Sequence, residues 1–200
     1  MATRNSIKAE EILRKLEAEA KTCQRCRLHK TRANVVFGIG PATAEIVLIG
    51  EGPGFTEDRT KIPFSGAAGK QLNDLLREAG LEREKVRITN IVLCRPPNNR
   101  APLPDEIEAC RQFLERQIFV IKPKLVVTLG RTAARELLGR NVIMGREHGT
   151  LLDRTYAGVK FKLFVTYHPA AALYGAEAKE GLQADFKKLG QIIKRHETVC

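Results

Sequence analysis

Short apolar runs alternate with amphipathic stretches along most of the chain. The apolar runs at residues 45–49, 86–93, 124–130 and 161–166 predict four buried strands. Apolar residues at helical spacing predict helices over 7–20, 67–79, 105–121, 132–138 and 180–195. Strands that alternate with helices indicate an α/β fold of three layers, α/β/α, around a central, mainly parallel four-stranded sheet. In such a sheet, the loops at the carboxyl ends of the strands form the binding site.

Length and charge narrow the class of protein. A chain of 200 residues, 43% hydrophobic and 28% charged, is typical of a single globular domain, here spanning 1–200. Lys and Arg number 34 against 23 Asp and Glu, which gives a net charge of +11. This excess favours a polyanionic partner, nucleic acid first. A basic surface without such a partner is the alternative.

The sequence also bears on the compartment. No apolar run is long enough to cross a bilayer, and the N-terminus lacks the apolar stretch of a signal peptide. We therefore expect no membrane association and an intracellular protein, cytoplasmic and nucleoid-associated if its partner is DNA. Thiols stay reduced there, so the five cysteines are better interpreted as ligands or free thiols than as disulfides.

The loop from residue 50 to residue 66 is the best candidate for a pocket. Glycines at alternate positions bring bare backbone to the end of the first strand, and the loop also carries three carboxylates, Glu51, Glu57 and Asp58, and an aromatic ring, Phe64. The glycines are Gly50, Gly52 and Gly54, and Pro53 lies between the last two. A solvated glycine-rich turn is the alternative.

Neither a P-loop nor a dinucleotide-binding fingerprint is complete in this region, so a nucleotide-dependent enzyme is not expected.

Four of the cysteines have a spacing that suits metal binding. Cys23 and Cys26 form a CxxC pair, and Cys94 and Cys110 flank a proline-rich loop. Four thiolates can close a tetrahedral site for zinc or hold an iron–sulfur cluster, and the spacing alone does not choose between them. Four unrelated thiols are the alternative. Cys200 is expected to be a bystander.

Several motifs occur together in one order and spacing. They are Cys23-x-x-Cys26-x-Leu28-x-x-x-Arg32, Gly50-Glu-Gly-Pro-Gly-x-x-Glu57-Asp58, Pro63-Phe64-x-Gly66-x-Ala-Gly69, Asn90-x-x-x-Cys94-Arg-Pro-Pro-x-Asn99-Arg100 and His168-Pro169-Ala-Ala-Ala-Leu173. In combination, over about residues 20 to 190, they resemble the family 4 uracil-DNA glycosylases, the iron–sulfur type. The chain departs from the family pattern at Lys61, where Gly is usual, at Ser65, where a hydrophobic residue is usual, and at Ala170, where Ser is common.

The resemblance implies both a cofactor and a reaction. The cofactor is a [4Fe–4S] cluster held by Cys23, Cys26, Cys94 and Cys110, and its role is structural. The reaction is hydrolysis of the N-glycosidic bond of deoxyuridine in DNA after base flipping, which initiates base excision repair. Free uracil is the product. No lysine is identified as a Schiff-base nucleophile, so we expect a monofunctional enzyme that does not cut the strand. We also expect a monomer.

The resemblance also assigns roles within the pocket. Phe64 stacks on uracil, Asn90 reads its pairing edge, and His168 faces its O2 atom and stabilises the leaving uracilate. Backbone N–H groups around Glu51 and Gly52, next to Pro53, complete the anion site. We expect a neighbouring polar group to hold the Asn90 amide in one orientation.

Other roles stay open at this point. Glu51 and Glu57 are the candidate carboxylates for water activation, and Glu57 is alternatively a block against the methyl group of thymine. Leu173 is expected to fill the space that the flipped base leaves. Phosphate contacts are expected from Arg95, Asn99 and Arg100. A sliding clamp is a candidate partner. The alternatives to the main hypothesis are a related glycosylase for another deaminated base and a metal-stapled nucleic-acid-binding module without catalysis.

Overall fold

A computed structural model describes residues 4–197, which form a five-stranded sheet between helices. The strands are β1 (Ile46–Gly50), β2 (Arg87–Asn90), β3 (Leu125–Leu129), β4 (Leu151–Tyr156) and β5 (Val159–Thr166). The helices are α1 (Arg4–Thr22), α2 (Phe55–Thr60), α3 (Ala67–Glu78), α4 (Pro104–Ile121), α5 (Arg131–Leu138), α6 (Met144–Glu147) and α7 (Ala176–Glu197). Cys200 lies outside the described residues.

The sheet has the strand order β2-β1-β3-β5-β4. The first four of these strands are parallel to one another, and β4 runs antiparallel to β5. This confirms the predicted α/β fold with a mainly parallel sheet. The predicted number of strands is wrong, because the sequence indicated four and the structure has a fifth, β4, within the described residues.

Alternate residues of the central strands face opposite layers. Val47 and Ile49 of β1 pack with apolar residues of α1, α4 and α5. Leu48, between them, packs instead with apolar residues of α3 and α7. Apolar residues on both faces produce the continuous hydrophobic runs by which the central strands were recognised in the sequence. The two clusters confirm the three layers.

The missed strand lies at the edge of the sheet. Residues 151–156 are half-buried or exposed, and Asp153 and Arg154 interrupt the apolar pattern. The strand forms a hairpin with β5 through Ala157 and Gly158, whose φ angles of 49° and 76° are typical of a two-residue hairpin turn. An edge strand that is not covered on both faces lacks the apolar run that revealed its neighbours.

The predicted helices are all present, with ends that differ by a few residues. The short helix α2 was missed because it lies inside the glycine-rich loop and has six residues. Within residues 4–197 no helix is both long and apolar enough to cross a bilayer.

Candidate active site

The parallel strands end at one edge of the sheet, and the predicted pocket residues meet there. Gly50 pairs in register with Asn90, and the N–H of Gly130 donates to the carbonyl of Thr166 at 2.9 Å. A cleft of about 560 Å³ opens at this edge, within the usual size of a small-molecule site. Its lining includes the predicted residues Glu51, Gly52, Pro53, Glu57, Phe64, Asn90, Asn99, Arg100, His168 and Leu173. The structure therefore brings together in one cleft all the predicted non-cysteine residues except Arg95.

Gly50 is the point on which the base-reading residues converge. A Cβ atom at Gly50 would lie 2.5 Å from the Oδ1 atom of Asn90 and 2.7 Å from the Cζ atom of Phe64. The missing side chain thus gives both residues room to pack over the end of β1. Asn90 and Phe64 are buried, with exposed fractions of 2% and 7%.

The Asn90 Oδ1 atom is a buried acceptor without a hydrogen-bond partner among the described residues. Buried polar groups are nearly always paired, and an unpaired one costs free energy. This oxygen packs against Gly50 and Phe64. The expected partner that would fix the orientation of the Asn90 amide stays a prediction. An unpaired acceptor at the floor of a cleft is suited to accept a hydrogen bond from a ligand.

The backbone around Phe64 is held in an unusual conformation. Phe64 has a φ angle of 52°, in the left-handed region that few bulky residues adopt. The Arg83 guanidinium donates to the carbonyls of Pro63 and Phe64 at 2.7 and 3.1 Å. Gly69 leaves room for the same carbonyl of Phe64, which would lie 1.8 Å from a Cβ atom at that position. Strain of this kind occurs at sites that present a side chain to a ligand. The stabilising role of Arg83 was not predicted, since no local pattern links it to Phe64.

His168 faces Phe64 across the cleft. The two ring centroids are 5.5 Å apart, and Gly130 provides the space beside the His168 Cβ atom. The Nδ1 atom of His168 accepts a hydrogen bond from the N–H of Ala170 at 3.2 Å. Burial lowers the pKa of His168, although the carboxylates of Glu51 and Glu57 act in the opposite direction. A neutral imidazole with an acceptor at Nδ1 carries its proton on Nε2, so the ring can donate into the cleft without being charged.

The two candidate carboxylates have different neighbours. Glu57 accepts a hydrogen bond at Oε1 from the N–H of Gly66 at 2.9 Å, which ties α2 to the loop that carries Phe64. Glu51 accepts a hydrogen bond at Oε2 from the hydroxyl of Thr132, at the start of α5. Sequence reasoning missed Thr132, although its place just after β3, at a strand end, was a signal that could have identified it.

The residues proposed for DNA contacts differ in their freedom to bind. Arg100 donates to both carboxylate oxygens of the buried Glu106, at 2.8 and 2.6 Å, so its charge is neutralised within the protein. This arrangement favours a structural role for Arg100 over the predicted phosphate contact. Arg95 donates from Nε to Asn99 Oδ1 at 2.7 Å. Leu173 is 48% exposed at the rim of the cleft.

The four predicted ligand cysteines line a second, small cavity, away from the cleft. Cys94 Sγ accepts a hydrogen bond from Arg32 at 3.2 Å, and Cys110 Sγ accepts one from the N–H of Leu93 at 3.4 Å. Burial raises the pKa of Cys110 to about 12. Among the described residues, no group of three or more His, Cys, Asp or Glu side chains is arranged to hold a metal ion. Cys23, Cys26, Cys94 and Cys110 surround a common space instead.

Comparisons with known proteins agree with this site. A family model described as the uracil DNA glycosylase superfamily matches residues 37–190, which is more than half of the chain. A type-4 uracil-DNA glycosylase from Archaeoglobus fulgidus is 44% identical over 191 residues, covering 94% of this chain and 96% of the relative. The protein of the same name from Thermotoga maritima is 42% identical over 189 residues, covering 93% and 97%. That from Saccharolobus solfataricus is 46% identical over 180 residues, covering 88% and 83%. The chain therefore belongs to the uracil DNA glycosylase superfamily and, within it, to the type-4 uracil-DNA glycosylases.

Proposed function

We propose that the protein is a monofunctional uracil-DNA glycosylase, which hydrolyses the N-glycosidic bond of deoxyuridine in DNA and so initiates base excision repair. The observation that carries this proposal is the unpaired, buried Oδ1 atom of Asn90, which lies beside the ring of Phe64 at the floor of the cleft. The family membership of the chain supports the same reaction.

Recognition depends on the flat face and the pairing edge of uracil. The ring of Phe64 stacks on the face of the base. The Oδ1 atom of Asn90 accepts a hydrogen bond from N3–H, and the amide Nδ2 donates to O4. Cytosine presents the opposite order of donor and acceptor on this edge. A site with this amide orientation rejects cytosine, because buried polar atoms would face each other without a hydrogen bond.

Catalysis depends on the charge that develops on the base. As the bond between C1′ and N1 breaks, its electron pair passes to uracil and leaves an oxocarbenium-like sugar. The neutral His168 ring donates from Nε2 to the O2 atom of uracil, where the negative charge accumulates, with backbone N–H groups near Gly52 completing the anion site. A donor that is already in place costs no reorganisation at the moment of bond cleavage.

We assign to Glu51 the task of orienting the water molecule that attacks C1′. The Thr132 hydroxyl engages one oxygen of this carboxylate, Oε2, which leaves Oε1 to orient a water toward C1′. The water oxygen bonds to C1′ and loses a proton, and the uracilate takes up a proton, so that the products are uracil and an abasic site. Glu57 is assigned the other role, exclusion of thymine, because its hydrogen bond to the N–H of Gly66 fixes its carboxylate in the wall of the cleft next to Phe64. There it limits the space at C5 and excludes the methyl group of thymine.

Access to the cleft requires a flipped nucleotide, since a stacked base cannot reach Phe64. Leu173 at the rim fills the space that the base leaves. The net charge of +11 attracts the phosphate backbone and makes binding dependent on salt.

We also propose that Cys23, Cys26, Cys94 and Cys110 hold a [4Fe–4S] cluster. The four cysteines line one cavity, and thiolates are the ligands that iron–sulfur clusters use. When bound, the cluster would supply a cross-link between the segment after α1, the loop after β2 and the helix α4. The hydrogen bond from Arg32 to Cys94 compensates the negative charge of a thiolate. Equal amounts of iron and acid-labile sulfide in the purified protein would support this proposal, whereas stoichiometric zinc in a colourless protein would contradict it.

The test of the main proposal is incubation of the protein with an oligonucleotide that contains one deoxyuridine, followed by alkali. We expect strand breakage at that position only after alkali, because alkali cleaves the abasic product. A strand that stays intact after alkali would rule out the proposed reaction. A protein that binds this DNA without breaking it would support the alternative of a non-catalytic binding module.

A further inference from the structure

An exposed aromatic ring lies between two arginines at the rim of the cleft. Phe55, the first residue of α2, is 52% exposed and lines the cleft. The guanidinium carbon of Arg59 lies 5.1 Å from the centroid of the Phe55 ring, and that of Arg95 lies 5.0 Å from it. Both distances are within the range of cation–π attraction. The ring thus gathers two positive charges at one place, although like charges repel. We call Arg59, Phe55 and Arg95 the rim cluster.

The two guanidiniums keep hydrogen-bond donors free. Within the part of the chain that the structure describes, neither arginine forms an ion pair with a carboxylate. Arg95 uses its Nε atom to donate to Asn99 at 2.7 Å, and this bond orients the guanidinium while its two terminal nitrogens remain available. Arg59 is exposed and is held by the ring alone. Free donors on fixed, planar groups match the geometry of a phosphate.

The neighbouring Arg100 shows the contrast. It lines the same cleft, but both of its terminal nitrogens donate to Glu106. Arg59 and Arg95 therefore differ from Arg100, because no carboxylate among the described residues neutralises their charge and they can bind an anionic ligand.

We propose that the rim cluster binds a phosphodiester group of the DNA strand that carries the flipped nucleotide. This inference rests on the proposed function and deepens it, because it assigns the phosphate contact to an arginine pair ordered by Phe55. Phe55 acts as a positioning residue and does not touch the base in the pocket. Arg59 and Arg95 fix the strand beside the cleft, so that the extruded nucleotide is directed to Phe64.

The first test is the salt dependence of DNA binding, measured with an oligonucleotide that carries an uncleavable abasic-site analogue. Arg59→Ala and Arg95→Ala should each weaken binding by roughly tenfold, since each removes a charge-assisted hydrogen bond. The slope of log affinity against log salt should fall by about 0.7 to 0.9 for each phosphate contact that is lost. Phe55→Leu should also lower the slope, although it removes no charge, because the arginines lose their support.

The matched control is Arg77→Ala. Arg77 is exposed, pairs with Asp74 at 2.9 Å and does not line the cleft. Its removal lowers the net charge by one and should leave the slope unchanged. The rim cluster would be rejected as a phosphate site if Arg59→Ala and Phe55→Leu bound DNA like Arg77→Ala.

The second test locates the phosphate. Each phosphate near the abasic analogue is replaced in turn by a neutral methylphosphonate. At the contacted position, the loss seen with the wild-type protein should disappear in the Arg59→Ala, Arg95→Ala double variant, because the interaction is already absent. Additive losses at every position would overturn the proposal. Because both tests measure binding, they can be read even if the wild-type protein fails to release uracil. That failure would rule out the proposed reaction but would not bear on the phosphate site.

Discussion

Substitution of Gly50 by alanine should disable the pocket while leaving the fold in place. The new Cβ atom would lie 2.5 Å from Asn90 Oδ1 and 2.7 Å from Phe64 Cζ, whereas ordinary van der Waals contact begins at 3.4 Å. Both side chains must therefore move by up to about 1 Å, or β1 must shift away from β2. The residues that move are the two that we assign to the face and the pairing edge of uracil.

The magnitude follows from these distances. A misplacement of about 1 Å in a catalytic arrangement typically costs on the order of 10² in rate. Overpacking of a well-packed region typically costs about 1–3 kcal/mol of stability, which a folded domain tolerates. We thus expect a loss of roughly 100-fold in single-turnover uracil release, with a modest drop in thermal unfolding temperature.

The assay is single-turnover cleavage of a deoxyuridine oligonucleotide, with thermal unfolding measured in parallel. Gly145→Ala is the control, since no atom lies within 4 Å of a Cβ atom at Gly145. It should retain wild-type rate and stability. Wild-type cleavage by Gly50→Ala would refute the reasoning, because the atoms that crowd Gly50 could not then be the ones that read the base.

Further predictions concern the polar groups of the cleft. His168→Ala should slow release by roughly 10²–10³ with little effect on DNA affinity, since its donor acts on charge that develops in the transition state; equal losses in both would indicate a structural role. Burial lowers the pKa of His168 from its ordinary value, so protonation of His168 should affect the wild-type rate only at a lower pH than an exposed histidine would; an NMR titration in which the His168 ring gains its proton at a higher pH than an exposed histidine of the same protein would contradict a neutral His168. Thr132→Val should reduce the rate by roughly tenfold because Glu51 loses its donor, while Thr132→Ser should restore it; identical rates for Val and Ser would argue against this role. Asn90→Asp should reject uracil by roughly 10² or more, because an acceptor replaces the donor to O4; wild-type activity in this variant would remove Asn90 from the pocket.

The central sheet was predictable because its strands are buried on both faces. The runs that became β1 and β3 are almost wholly apolar, whereas Lys160 and Lys162 interrupt β5 before its buried end. The carboxyl ends of these parallel strands lie at one edge of the sheet. The edge strand β4 was not predictable in the same way, since Asp153 and Arg154 give it the pattern of a polar loop. The turn at Gly158 was the one local sign of it.

The residues of the candidate site were predictable, but the side chains that hold them in position were not. Phe64, Asn90 and His168 were identified from the family resemblance, and the structure places them around one cleft. The contacts of Arg83 with Phe64 and of Thr132 with Glu51 join residues distant in sequence, so no local pattern could reveal either contact. The place of Thr132 just after β3 marked it only as a residue at the same edge of the sheet. The pairing of Arg100 with Glu106 was missed for a related reason, because the sequence does not show that this glutamate is buried.

The central claim is that the cleft selects uracil by its N3–H donor and by the space at C5. The most direct measurement compares single-turnover base release from one oligonucleotide sequence that carries deoxyuridine, N3-methyldeoxyuridine or thymidine at the same position. We predict fast release of uracil and losses of roughly 10² or more for the other two bases, since one lacks the donor to Asn90 and the other carries a methyl group toward Glu57. Release of N3-methyluracil at the rate of uracil, or no release of uracil at all, would contradict the account.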